Sequence, residues 1–211
     1  MKSKAGAFCM VLGMLLIFGA IALTYMNQKE NEAARESAVK IVPQLVEQIQ
    51  HNTETEEVNS EAEVIPELQI PVELLTEEDK KMTEVEINGN LYIGYISIPA
   101  LNMELPVMSD WSLAQLKIAP CRYSGSIRSE DMVLMAHNYI SHFGPISMLE
   151  PGDEVYFTDM DGKITKYAVV GKDVLEATAV EEMTAGDFDL TLFTCTYSGS
   201  ARITVYCDVI N

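Results

Sequence analysis

A thiol, a guanidinium and an imidazole each stand at the edge of an apolar run in this chain. Cys195 closes the run LTLFTC, Arg202 opens the next, and His137 follows MVLMA. A thiol attacks as its thiolate, so it needs a base or cation nearby and some access to solvent. An imidazole can carry the proton away, and a guanidinium can hold a carbonyl oxygen as charge develops on it. Together the three fit acyl transfer through a thioester. Period-two alternation sorts the faces of the two runs. Thr191, Phe193 and Cys195 share one face; Leu190, Leu192 and Thr194 share the other. On the next run Arg202, Thr204, Tyr206 and Asp208 form a polar face opposed to Ile203, Val205, Cys207 and Val209. Cys207 therefore reads as core, whereas Cys195 ends a strand beside a charge. Each residue alone also has a plainer reading: a structural cysteine, a hydrogen-bonded surface histidine, an ion-pairing arginine. His142 reads as a second surface histidine or a groove residue. Asn138, Thr194 and Tyr197 are candidate substrate contacts, with structural roles equally open.

The elements that must position these residues are short strands. Residues 91–98 alternate and are rich in β-branched and aromatic side chains, and residues 103–107 follow as a second strand ended near Pro106. Residues 111–116 fit a short helix, residues 120–126 a loop, and residues 132–136 a buried strand running into His137. A helical turn is expected at 145–149 and a turn at 151–153. Asp161-Gly162 joins strands 154–158 and 164–170 as a tight hairpin. Residues 173–187 read as a longer connection, partly helical around 179–183, before the final hairpin of 190–205. About eight short strands with tight turns and little helix predict a mainly β, closed or nearly closed barrel. It occupies residues 89–211.

The rest of the chain delivers that domain. Residues 7–26 carry no charged side chain. A stretch of about 20 residues matches the ~30 Å hydrocarbon core at 1.5 Å rise per residue. Lys2 and Lys4 precede it, so residues 1–6 should stay cytoplasmic and the bulk should lie outside. The rival is a cleaved signal peptide, because Ala20-Ile21-Ala22 resembles a cleavage site. The apolar run continues past that site to Leu23, which favours an uncleaved anchor. Residues 27–88 form the connection between anchor and domain. Ala34, Ala38, Ile41, Val42, Leu45, Val46 and Ile49 recur at helical spacing, with Pro43 expected to kink or split the helix. A stalk or partner-binding helix and a helix folded back on its own domain fit that pattern equally. Residues 53–86 hold twelve acidic side chains against Lys80 and Lys81, and read as a solvated linker. They lack the DxDxDG pattern of a calcium loop.

The net charge of −18 over 211 residues excludes a nucleic-acid partner, since phosphate binding needs a basic surface. The four cysteines show neither CxxC nor zinc spacing, so no metal is expected. Cys121 and Cys207 are the only pair left for a disulfide, and two buried thiols is the plainer reading.

TLFTC with an arginine seven residues after its cysteine, and an upstream His137-Asn138 after an apolar strand, resembles the sortases. These are membrane-anchored cysteine transpeptidases of mainly Gram-positive bacteria. Thr191, Leu192, Thr194 and Cys195 match the family's TLxTC pattern; His137 and Arg202 match its histidine and its last-strand arginine. The run GYISIP from Gly94 to Pro99, His142-Phe143-Gly144 and Gly152-Asp153 also resemble the family. Ala136 departs from it where many members have glycine, which leaves the subclass open, with classes B and D as candidates.

The resemblance covers roughly residues 91–209. It implies an eight-stranded sortase-type barrel, needing no cofactor, with Cys195, His137 and Arg202 as its catalytic residues. Its partners would be secreted proteins bearing a C-terminal sorting motif, and an amine acceptor from a cell-wall precursor or a pilin lysine. Two other envelope Cys–His enzymes fit less well. An L,D-transpeptidase carries a histidine close before an SHGC-type cysteine, and a papain-like peptidase sets its cysteine at a helix N-terminus ahead of its histidine. A membrane-tethered β-domain that only binds envelope proteins is the non-enzymatic alternative.

Overall fold

The computed structural model describes residues 2–59, 76 and 78–210. Much of the acidic segment expected as a linker, residues 60–75 and 77, lies outside the described residues. The chain opens with one long helix, α1 (Lys2–Asn59). Among the described residues nine strands follow: β1 (Val85–Ile87), β2 (Asn90–Ile98), β3 (Met103–Met108), β4 (Cys121–Ser124), β5 (Met132–Ala136), β6 (Glu154–Asp159), β7 (Ile164–Glu176), β8 (Leu190–Cys195) and β9 (Ala201–Val209). A short helix α2 (Val180–Met183) lies between β7 and β8. The strands pair in the order β1-β2-β3-β4-β5-β8-β9-β7-β6, and β6 returns to β2, so β2 to β9 close an eight-stranded barrel. Closure brings two backbones close together. At Gly94 (φ 145°) an added Cβ would lie 2.0 Å from the Thr158 carbonyl oxygen, so only glycine fits there.

The barrel core follows the parity read from sequence. Leu190 and Leu192 from β8, and Val205 and Cys207 from β9, are buried with Ile96, Leu134 and Phe157. Cys121 and Cys207 are both buried free thiols; they do not pair. Burial pushes each thiol up to about 12, because the anion would lose its hydration. Several elements differ from expectation. β4 forms where a loop is expected, and β1 starts the sheet ahead of Gly89. β7 runs on to Glu176 because β9 pairs with it from Tyr167 to Glu176. The short helix expected at 111–116 is a 3-10 turn, Gln115–Lys117.

α1 is not split at Pro43. A proline inside a helix costs about 3 kcal/mol. Ile41 and Val42 before it, and Leu45 and Ile49 after it, are all buried. Each such burial is worth about 1.5–3 kcal/mol, so together they outweigh the proline. Of the two readings of this helix, the structure has it packed back on its own domain. Ala38 joins the barrel core, and Ile41, Leu45 and Ile49 join a second cluster with Tyr92, Met108, Leu116 and Cys121. Further along, Asn52 Nδ2 donates to the Met160 carbonyl at 3.2 Å.

Candidate active site

β5 and β8 pair in parallel, with Ala136 opposite Thr194. Both strands therefore end at the same rim of the barrel, where β5 releases His137 and β8 ends in Cys195. β9 runs antiparallel to β8 and sets Arg202 directly opposite Cys195. Asn138 Nδ2 donates to the Thr196 carbonyl at 3.5 Å, tying the segment after His137 to the segment after Cys195. The three residues singled out from sequence thus sit on three adjoining elements at one rim. Cys195 is partly exposed and has no disulfide partner. The Arg202 guanidinium donates to the Gly199 and Ala201 carbonyls, both at 3.2 Å, which folds it over its own turn.

The other candidates separate. Thr194 is 1% exposed and donates through Oγ1 to the Ala136 carbonyl at 2.8 Å. It fastens the histidine strand to the cysteine strand from inside the barrel and does not face a groove. Tyr197 stands in the β8–β9 turn at 94% exposure. Asn138 is half-buried beside the same turn. His142 is neither a surface nor a groove residue: it is fully buried. Its pKa is pushed down to about 4, chiefly by burial and then by the neighbouring His137, with the Ile118 backbone acting in the opposite sense.

His137 is held by a loop that folds tightly on itself. His142 N–H and Gly144 N–H both donate to the Tyr139 carbonyl at 3.0 Å, and Phe143 N–H donates to the His137 carbonyl at 3.2 Å. A Cβ at Gly144 would come within 2.6 Å of the Tyr139 oxygen and 2.7 Å of the Asn138 oxygen. The His137 ring stacks on Tyr139 with centroids 4.8 Å apart. Burial lowers the His137 pKa most; Glu30 acts to raise it and Lys117 to lower it.

Sequence reasoning missed the residues that hold this loop from outside. Tyr139 Oη donates to Glu30 Oε2 at 2.9 Å. Glu30 also pairs with Lys117 at 3.1 Å. Asn31 Oδ1 accepts from Ser141 N–H at 3.0 Å and from Ser141 Oγ at 2.9 Å. A cleft of about 560 Å³ opens between this part of α1, the histidine loop and Tyr197. Only Tyr139, two residues after His137, carried any signal in sequence; nothing in one sequence pairs it with Glu30.

On the outward side, Phe193 shares the face of Cys195 and is covered by Val133, Met183, Tyr123 and Leu175. Tyr123 meets Phe193 edge-on at 5.5 Å and stacks on Trp111 at 5.8 Å. This apolar row leads along β8 to the thiol.

Residues 96–210 match the family model described as the Sortase domain, more than half of the chain. The chain belongs to the sortase family. As a sortase it is a cysteine transpeptidase, and its closed barrel is the family's fold. Solved structures agree on the fold. The chain resembles sortase C from Clostridium perfringens SM101 at 24% identity, with 90% of this chain and 98% of that chain covered and a TM-score of 0.51. It resembles Streptococcus pneumoniae sortase C at 20% identity, covering 82% and 97% with a TM-score of 0.53. It also resembles a Clostridium perfringens sortase D5 transpeptidase at 20% identity, covering 65% and 91% with a TM-score of 0.52. No curated protein sequence matches this sortase closely enough to count as a relative.

Proposed function

We propose that this sortase cleaves a C-terminal sorting motif of secreted proteins through a thioacyl-enzyme on Cys195 and passes the acyl group to an amine. Neutral His137 takes the thiol proton as sulfur attacks the motif's backbone carbonyl. The imidazolium gives that proton to the departing amine, and the C–N bond breaks. In the second half His137 accepts a proton from the incoming amine, whose attack breaks the C–S bond, and returns a proton to the departing sulfur, which restores the thiol and the neutral imidazole. Burial, which lowers the His137 pKa, favours the neutral starting state. Arg202 hydrogen-bonds the substrate or the oxyanion, having turned away from the carbonyls of its own turn. The half-buried Asn138 and the exposed Tyr197 border the rim at which an extended motif would reach the thiol.

The observation that carries this reading is the strand register: parallel β5 and β8 end together, and Arg202 stands opposite Cys195. We assign residues 7–26 to a single membrane span with a cytoplasmic N-terminus, residues 27–88 to the extracytoplasmic connection and residues 89–211 to the catalytic barrel. The apolar half of α1 supports the anchor: it is long and apolar enough to cross a membrane, and none of it is buried. The acceptor is a cell-wall precursor amine or a pilin lysine.

Mass spectrometry with a panel of candidate motif peptides tests the chemistry. The wild-type chain should gain the mass of an acyl group at Cys195, and Cys195→Ala should gain none while keeping its fold. An acyl adduct persisting in Cys195→Ala would overturn the assignment. Offering a peptidoglycan-stem amine against a pilin-type lysine peptide then identifies the acceptor by the product formed.

A further inference from the structure

We propose that Glu30 and Tyr139 are positioning residues for His137: the part of α1 just past its apolar stretch holds the histidine loop and, through it, the group that moves the proton. This inference rests on the reading of His137 as the acid and base of the reaction.

A stacked neighbour fixes the plane of an imidazole but lets it slide. Tyr139, the stacked neighbour here, is fixed at its far end, because its hydroxyl donates to Glu30 at 2.9 Å across 109 residues of sequence. The other Glu30 oxygen pairs with Lys117 at 3.1 Å, so both carboxylate oxygens have a partner. One residue on, Asn31 holds the same loop by accepting from both the N–H and the hydroxyl of Ser141. The His137 ring therefore rests on a column whose base is α1.

The Glu30–Lys117 pair is substantially exposed, at 42% and 57% for the two side chains, and such pairs add little to stability. A purely structural role would thus leave little to measure. Glu30 from α1, Lys117 from the 3-10 turn, and Tyr139 and His142 from its own loop act on or touch His137, and the strands bring Cys195 and Arg202 to the same rim. Glu30 is the one carboxylate in that set, and it favours the imidazolium that burial and Lys117 disfavour. The Tyr139 hydrogen bond is the first cause holding the Glu30 carboxyl below the usual carboxylate range, ahead of Lys117. The phenol itself, pushed up to about 12 by burial and then by Glu30, remains a donor throughout the working pH range.

The test uses the full chain in detergent micelles, with labelled histidines followed by NMR. It also follows the pH dependence of Cys195 alkylation by iodoacetamide, read by mass spectrometry at that residue. Glu30→Gln should shift the His137 titration down by about half a pH unit, with the alkylation profile following. Tyr139→Phe keeps the ring stack and loses the anchoring bond. With the panel peptide that acylates Cys195, both variants should lose about tenfold in kcat while KM stays within about twofold. Lys40→Gln, which breaks the exposed Glu36 pair elsewhere on α1, should match wild type. Wild-type titration and kcat in both variants would overturn the proposal, as would an equal loss in Lys40→Gln. If His137→Ala keeps wild-type kcat, the parent reading fails instead, and that result is separable from the other two.

Discussion

The β8–β9 hairpin and the loop from His137 to Leu149 carry the two halves of the proposed site, and they are held in opposite ways. In the hairpin, Cys195 and Arg202 face each other because six consecutive residue pairs run from Leu190↔Cys207 to Cys195↔Arg202. Its turn is closed by its own groups: Thr196 N–H donates to the Ala201 carbonyl at 2.9 Å, and Gly199 N–H to the Thr196 carbonyl at 2.8 Å. The histidine loop contains no strand. It depends on the close fit at Gly144, on Thr194 beneath it, and on Glu30 and Asn31 more than a hundred residues away. The half proposed to hold the nucleophile is encoded next to itself; the half proposed to move the proton is encoded across the chain.

Substitutions at four positions test that contrast. The largest effect is expected inside the hairpin. Arg202→Ala should slow acylation about 10²–10³-fold by removing a donor to the developing oxyanion, without a measurable loss of stability. Arg202→Lys should recover little, since an ammonium does not reproduce the guanidinium fork; full recovery would show that only charge matters there. Gly144→Val comes next. Its side chain meets two carbonyl oxygens of the loop, so His137 should be displaced and acylation should fall about 100-fold. Hydrogen exchange should leave the β8–β9 amides protected, and loss of that protection would mean the two halves are not independent.

The third test uses acid. In the unfolded chain His142 takes up a proton near pH 6.5, but in the folded one only near pH 4. Between those values the unfolded state binds more protons, so stability falls as pH drops through that window, by up to roughly 3 kcal/mol. Urea unfolding at pH 7 and pH 4.5 should show the loss in wild type and much less of it in His142→Gln; an unchanged slope in the variant would assign it to other groups. The smallest effect is expected at the join between the halves. Thr194→Val keeps the shape but removes the donor to Ala136, costing about 1 kcal/mol and about 2–4 °C in Tm. A larger fall in activity than in stability would show that this bond also sets the position of His137.

The same contrast explains what the sequence makes legible. Alternation within 190–209 separates Cys195 from Cys207 because side-chain parity is a local property, and Asp161-Gly162 marks its hairpin for the same reason. β4 escapes because a four-residue strand following Pro120 looks like a loop until β5 pairs with it. The end of β7 escapes because its last residues, through Glu176, are strand only by virtue of β9. α1 shows its periodicity but not its destination, and the destination decides whether Pro43 breaks it. His142 looks like a surface histidine because nothing nearby in sequence announces its burial. The Glu30–Tyr139 contact has no local signature at all.

One seam of the barrel has a consequence for handling the protein. β3 and β4 are joined by a single residue pair, Met108↔Cys121, and α1 packs along β3 at this point. Without α1, the free backbone groups of β3 would be an open strand edge flanked by the apolar side chains of Met108, Leu116 and Tyr92. Open edges of that kind recruit other chains. A soluble version should therefore be cut close after Met26 and keep the helix that follows. A version begun at the first strand should precipitate or form β-linked oligomers, visible as high-mass species in size-exclusion chromatography, even though every strand of the barrel is present.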